Sequence, residues 1–145
     1  MKVTIVYQSR RGKTASYARE IAMYLWQKGV SVSLCATSDF KADKLEDCDC
    51  LMLGCWTSGW FVVNQHPNDI WEKFVKEKLQ LQLPKKLLLF TTYKIHTGSM
   101  FSKMKNKLNL KGVDTIKSLK SKSGVLSEKD KCILNEIIKS CVKPH

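Results

Sequence analysis

The segment Ser9-Arg10-Arg11-Gly12-Lys13-Thr14 is the stretch of this sequence best suited to chemistry. It follows a β-branched run at 2–7 (KVTIVY) and precedes residues whose apolar positions, Ala18, Ile21, Ala22 and Leu25, recur at helical spacing. A polar, glycine-containing turn between a strand and a helix offers converging backbone N–H groups. The positive end of the helix dipole adds to them, so the turn suits a phosphate. The hydroxyls of Ser9 and Thr14 are further donors. A nucleoside-triphosphate loop also ends in Gly-Lys-Thr, but it needs a glycine five residues before that glycine, where this chain has Tyr7. That chemistry is therefore not expected. A helix merely capped by polar residues is the plainer alternative, and the sequence leaves it open. No nucleophilic constellation competes: His66, His96 and His145 have no regularly spaced carboxylate or cysteine partner. No catalytic residue is expected, and Cys48-x-Cys50 lacks the second pair a zinc site needs.

Such a turn must be held by alternating elements. After the stop signal Gly29, residues 30–35 (VSVSLC) alternate like a strand, and 38–47 read as a short helix or loop. Residues 50–54 (CLMLG) form a short apolar strand, followed by a tryptophan-rich loop at 55–66 (CWTSGWFVVNQH). Pro67 then opens a helix carrying Ile70, Trp71 and Phe74 on one face. Residues 86–91 read as a buried strand, 91–98 (TTYKIHTG) as a loop, 99–108 as a short basic helix and 113–119 as a strand. A final helix covers 127–141, with Ile133, Ile137 and Ile138 as its apolar stripe and Ser127 with Asp130 as its cap. Alternation of this kind predicts a parallel sheet of five strands covered on both faces by helices, in one domain over 1–145. Ligands of such sheets bind at the carboxyl ends of the strands.

Composition narrows the class. Of 145 residues 43% are hydrophobic, with 7 Gly and 3 Pro, which excludes disorder and collagen-like structure. No apolar run approaches the ~20 residues of a membrane span, and the N-terminal apolar stretch is too short for a signal peptide. A cytoplasmic location with reduced cysteines is the expectation. The net charge is +12, and it is unevenly spread. Residues 1–70 hold 8 basic and 7 acidic side chains, whereas 71–145 hold 17 lysines, no arginine and 6 acids. A lysine-rich half suggests a docking face for something acidic, against the alternative of a solvated surface with no partner. Lysine lacks the flat fork that reads bases, so specific nucleic-acid recognition is not expected.

Tyr7-x-Ser9-x-x-Gly12-x-Thr14, followed by a helix with Ala18, resembles the FMN-phosphate loop of the flavodoxin family. Asp49-Cys50-Leu51-Met52-Leu53-Gly54-Cys55 leading to Thr57 and Gly59 is similar to that family's loop after the third strand. Pro67 and the helix with Trp71 and Phe74 fall where the family places its third helix, and the likeness covers most of the chain, in its short-chain form. The resemblance implies an α/β fold, flavodoxin-like: a doubly wound five-stranded parallel sheet of order 2-1-3-4-5 with helices on both faces and one non-covalent FMN. It implies that Ser9, Arg10, Arg11, Gly12, Lys13 and Thr14 cradle the phosphate. Cys55, Trp56, Thr57, Ser58, Gly59 and Trp60 would flank the flavin ring on one side, and Thr92, Tyr93, Lys94 and Gly98 on the other. Tyr93 would be the candidate stacking aromatic of the second loop; in the first, which of Trp56 and Trp60 covers the flavin is open, with Trp60 favoured. A core or surface role is the alternative for each of these rings. The chain departs from the family at Ser58, where many members carry Trp or Met, and at Arg10, Arg11 and Lys13, where many carry neutral residues. Most flavodoxins are acidic; this chain is basic.

The implied function is an FMN-binding electron carrier that passes electrons to an acidic redox partner, such as a reductase, docked on the lysine-rich face. A monomer is expected. Two alternatives stand beside it: a flavodoxin-like oxidoreductase or activator, of the protoporphyrinogen oxidase or ribonucleotide reductase activator kind, and a basic binding module without FMN.

Overall fold

Side chains of successive strand residues point to opposite faces, so a strand buried on both must be apolar throughout. The runs at 50–54 and 86–91 meet that demand. The computed structural model describes residues 1–60 and 63–141, with the backbone alone described at 58–60 and 63–66. Its strands are β1 (Lys2–Gln8), β2 (Ser31–Ala36), β3 (Cys50–Trp60), β4 (Val63–Pro67), β5 (Lys86–Thr92) and β6 (Thr115–Ser121). Its helices are α1 (Lys13–Gln27), α2 (Asp69–Lys78), α3 (Met100–Asn106) and α4 (Glu128–Cys141), with two 3-10 turns between β2 and β3. Five strands are parallel in the spatial order β2-β1-β3-β5-β6, which is 2-1-3-4-5 counted over the parallel strands.

The alternation assigns each helix to a face. Val3 and Ile5 of β1, Cys50 and Met52 of β3, and Leu88 and Phe90 of β5 pack with Tyr17, Ala18, Ile21 and Leu25 of α1 and Leu134 and Ile137 of α4. The residues between them, Val6, Leu51, Leu53, Leu87 and Leu89, pack with Trp71, Phe74 and Val75 of α2 and Met100 and Met104 of α3. Cys35, Cys50 and Cys55 are buried among these side chains, and burial pushes their thiols above the ordinary cysteine range. All six cysteines are free. Among the described residues no helix is long and apolar enough to cross a membrane.

Residues 55–60 are not loop: β3 continues to Trp60, and β4 lies antiparallel against this extension, pairing Thr57 with Pro67, Ser58 with His66 and Trp60 with Val63. Aromatic and β-branched residues favour extended pairing once a partner strand is at hand, and this stretch supplies its own. Pro67 ends β4 instead of opening α2; Asn68 caps that helix, its side-chain oxygen accepting from the Trp71 N–H at 2.9 Å. Ile70 is 60% exposed, and the buried face of α2 is Trp71, Phe74 and Val75. In α4 the buried positions are Asp130, Leu134 and Ile137, while Ile133 and Ile138 are half-buried. The Ser127–Asp130 cap is present and reciprocal: the Asp130 N–H donates to Ser127 Oγ and the Ser127 N–H to Asp130 Oδ2, each at 3.1 Å.

Candidate functional site

The order of strand addition reverses at β1, since β2 lies on one side of it and β3 on the other. The carboxyl ends of β1 and β3 therefore diverge into loops that leave opposite faces, and a crevice forms between them. The turn 9–12 opens there and leads into α1. Gly12 has φ 91°, a conformation costly for any residue with a Cβ, and a Cβ at this position would meet nothing within 4 Å. The glycine is needed for its backbone, not for space. Its N–H donates to Ser9 Oγ at 3.0 Å, and its carbonyl accepts from the Ser16 N–H at 2.9 Å. No side chain caps α1 and its first turn carries no acid, so the positive helix end is left for an anion.

Alternation along β3 and β5 places Trp56 and Thr92, directly opposite each other in the ladder, on the same face as Gly54, Phe90 and α1. Thr14 Oγ1 lies 2.6 Å from Thr92 Oγ1, both residues buried, which pins the first turn of α1 to β5. Either hydroxyl can donate in this contact, so it leaves open the donor role the sequence suggested for Thr14. On the opposite face Thr91 Oγ1 donates to the Cys55 carbonyl at 2.7 Å, so the 2.8 Å contact between Thr57 and Thr91 hydroxyls takes its proton from Thr57.

These elements enclose an open cleft of about 270 Å³. From the first turn it is lined by Ser9, Arg10, Arg11, Lys13 and Thr14, from β3 by Trp56 and Thr57, and from the end of β5 by Thr92, Tyr93 and Lys94. Among the described residues the lining holds four cations and no carboxylate. The Arg10 guanidinium lies over the Trp56 ring, 5.4 Å from its centroid.

Other residues singled out from the sequence lie elsewhere. The Cys55 side chain belongs to the core on the α2 face, and Gly98 sits in the turn before α3 with φ 51°, outside the cleft lining. The backbone of Ser58, Gly59 and Trp60 continues β3; their side chains, and so the stacking role read for Trp60, lie outside the described residues, as do the His66 side chain and His145. Trp56 is the described indole at the cleft.

Sequence reasoning missed the brace behind the site. Gly124, with φ 84°, packs so closely that a Cβ would come within 3.0 Å of the Lys13 carbonyl oxygen. Its N–H donates to Ser121 Oγ at 2.9 Å, and the Ser121 carbonyl accepts from the Tyr93 N–H at 3.3 Å. The signal was a serine- and glycine-bearing turn just past a strand end.

No protein-family model matches the sequence, and no curated protein matches it significantly. Solved structures do match in shape. The two-electron reduced flavodoxin of Megasphaera elsdenii is 22% identical over 94% of this chain and 98% of that one, with a TM-score of 0.72. A short-chain flavodoxin associated with a non-canonical PDU bacterial microcompartment is 15% identical over 98% and 99%, with a TM-score of 0.72. Rubredoxin oxygen:oxidoreductase of Desulfovibrio gigas is 18% identical over 95% of this chain and 34% of that longer one, with a TM-score of 0.70. Parallel-strand order, the helices on both faces and these superpositions agree: the chain has the flavodoxin fold.

Proposed function

We propose that residues 1–145 act as one flavodoxin-like unit, a cytoplasmic, monomeric electron carrier that binds FMN in the cleft. One observation carries this reading: an uncapped helix N-terminus ringed by Arg10, Arg11 and Lys13 opens into the same cleft as Trp56 and Tyr93. The donor set fits the group. Backbone amides of the Gly12 turn and the Ser9 hydroxyl suit a phosphate, the cations balance its charge, and the two aromatic side chains suit a planar ring. When bound, FMN supplies reversible one- and two-electron transfer. The chain's own part is to bind and orient. Gly12 shapes the turn, Thr14 and Thr92 hold it against β5, and Trp56 and Tyr93 exclude water from the ring. The main chain of residues 55–60 borders the ring as extended strand, and Lys94 adds a fourth cation.

Titrating the purified protein with FMN tests this. Saturable quenching of flavin fluorescence at one site per chain, with a yellow complex after gel filtration, is the expected result. A colourless protein that cannot be reconstituted yet retains polyanions would support a basic binding module instead, a reading favoured by Arg10 lying on the indole. The likeness to a third of an oxygen reductase favours a third reading, a flavodoxin-like oxidoreductase or activator. Turnover of a small substrate by the reduced protein alone would select it.

The redox partner is proposed to be an acidic protein. Lys94 at the cleft and Lys107 and Lys111 beyond α3 are exposed, and the charge of 71–145 is overwhelmingly lysine. Raising the salt from about 0.05 to 0.5 M should slow electron transfer to an acidic redox protein about tenfold or more, as screening removes long-range attraction. A stopped-flow rate that does not change with salt would refute the charge-steered docking.

A further inference from the structure

We infer that Arg10 is a specificity-determining residue: lying over Trp56, it makes the cleft favour a flavin whose phosphate draws the guanidinium off the indole. This rests on the FMN reading above and deepens it. Arg10 belongs to the turn whose Ser9 and Gly12 shape the anion-binding end of α1, and its guanidinium lies 5.4 Å from the Trp56 ring centroid. It makes no ion pair among the described residues, and the cleft lining offers it no carboxylate. One side chain thus spans both halves of the site, the phosphate end and the ring end.

A planar ligand that stacks on this face of Trp56 takes the place of the guanidinium. Riboflavin, which lacks the phosphate, would break the cation–π contact and return nothing to the arginine. FMN would break it and re-pair the guanidinium with phosphate oxygens, for which its flat fork is suited. Arg10 therefore penalises the unphosphorylated ligand and rewards the phosphorylated one. Arg11 and Lys13, which have no aromatic partner among the described residues, attract the anion without that penalty.

Fluorescence titrations of riboflavin and FMN against the wild type, Arg10→Ala, Arg10→Lys and Arg11→Ala test the inference. In Arg10→Ala, riboflavin should bind about two- to fivefold more tightly, the worth of an exposed cation–π contact. In the same variant FMN should bind about tenfold more weakly, for want of a charge-assisted pair. Arg10→Lys should bind FMN with an affinity between those of the wild type and Arg10→Ala, since the charge survives but the flat fork is lost. Arg11→Ala should weaken FMN and leave riboflavin unchanged. Arg10 is exposed, so thermal unfolding of the variants is expected to match the wild type. If Arg10→Ala leaves riboflavin binding unchanged or weaker while the wild type binds FMN, the competition at Trp56 is wrong and the FMN reading stands. If the wild type binds neither flavin, both are wrong.

Discussion

Gly54→Ala is expected to lower folding stability by about 3 kcal/mol, the upper end for overpacking a filled core. Gly54 stands in β3 between Tyr7 of β1 and Phe90 of β5. An ideal Cβ there would overlap the ring carbons Cε2, Cζ and Cδ2 of Phe90. That ring has no exposed surface, and it meets Tyr17 edge-on with centroids 6.0 Å apart. It cannot swing into solvent, and β3 cannot retreat because it is hydrogen-bonded on both sides. The added methyl must displace the ring, Tyr17 with it, or the ladder itself. Urea unfolding measures the loss. Adding Phe90→Leu to Gly54→Ala should restore about 1 kcal/mol, because the two changes share one volume and are not additive. A Gly54→Ala protein with the wild-type midpoint would show that the ring has room to move.

The same position shows what the sequence does and does not disclose. Strand period and helical spacing marked β1, α1, β5 and α4 because burial on known faces imposes those repeats on the residues themselves. The run at 50–54 announced a strand, but nothing local said that it continues through two tryptophans to Trp60, since β4 is what satisfies that backbone. Pro67 matched the signature of a first helical residue, and the structure uses it at a strand end, with Asn68 supplying the cap one residue later. The three segments of the cleft were legible because each lies toward the carboxyl end of a strand. Their internal contacts were not. Arg10 on Trp56, Thr14 on Thr92 and Gly124 on Lys13 join residues far apart in the chain, and only the sheet order brings them together.

Asp130→Ala should cost about 2–4 kcal/mol, because it leaves the buried Tyr17 hydroxyl without its acceptor and removes the Ser127 cap. Asp130 is 5% exposed, and its Oδ2 accepts both the Tyr17 hydroxyl at 2.8 Å and the Ser127 N–H at 3.1 Å. The bond to Tyr17 ties α4 to α1 on the face they share. Asp130→Asn, which retains an acceptor oxygen, should lose only about half as much. Tyr17→Phe isolates the phenol through its pH dependence. Burial first, then the hydrogen bond and charge of Asp130, push the Tyr17 pKa well above its ordinary value of 10.0. A phenol that holds its proton more tightly when folded contributes full stability below the unfolded pKa. As the pH rises past about 10, the unfolded chain releases a proton that the folded chain keeps, and stability falls by about 1.4 kcal/mol per pH unit. The two proteins differ in this one phenol, so the difference between their alkaline limbs belongs to Tyr17. Urea unfolding from pH 7 to about 11 should therefore give Tyr17→Phe a lower stability at neutral pH and a flatter alkaline limb, by about one proton. Parallel limbs would mean that the phenol ionises as readily inside the protein as outside it, and that the Asp130 bond does not hold the proton in place.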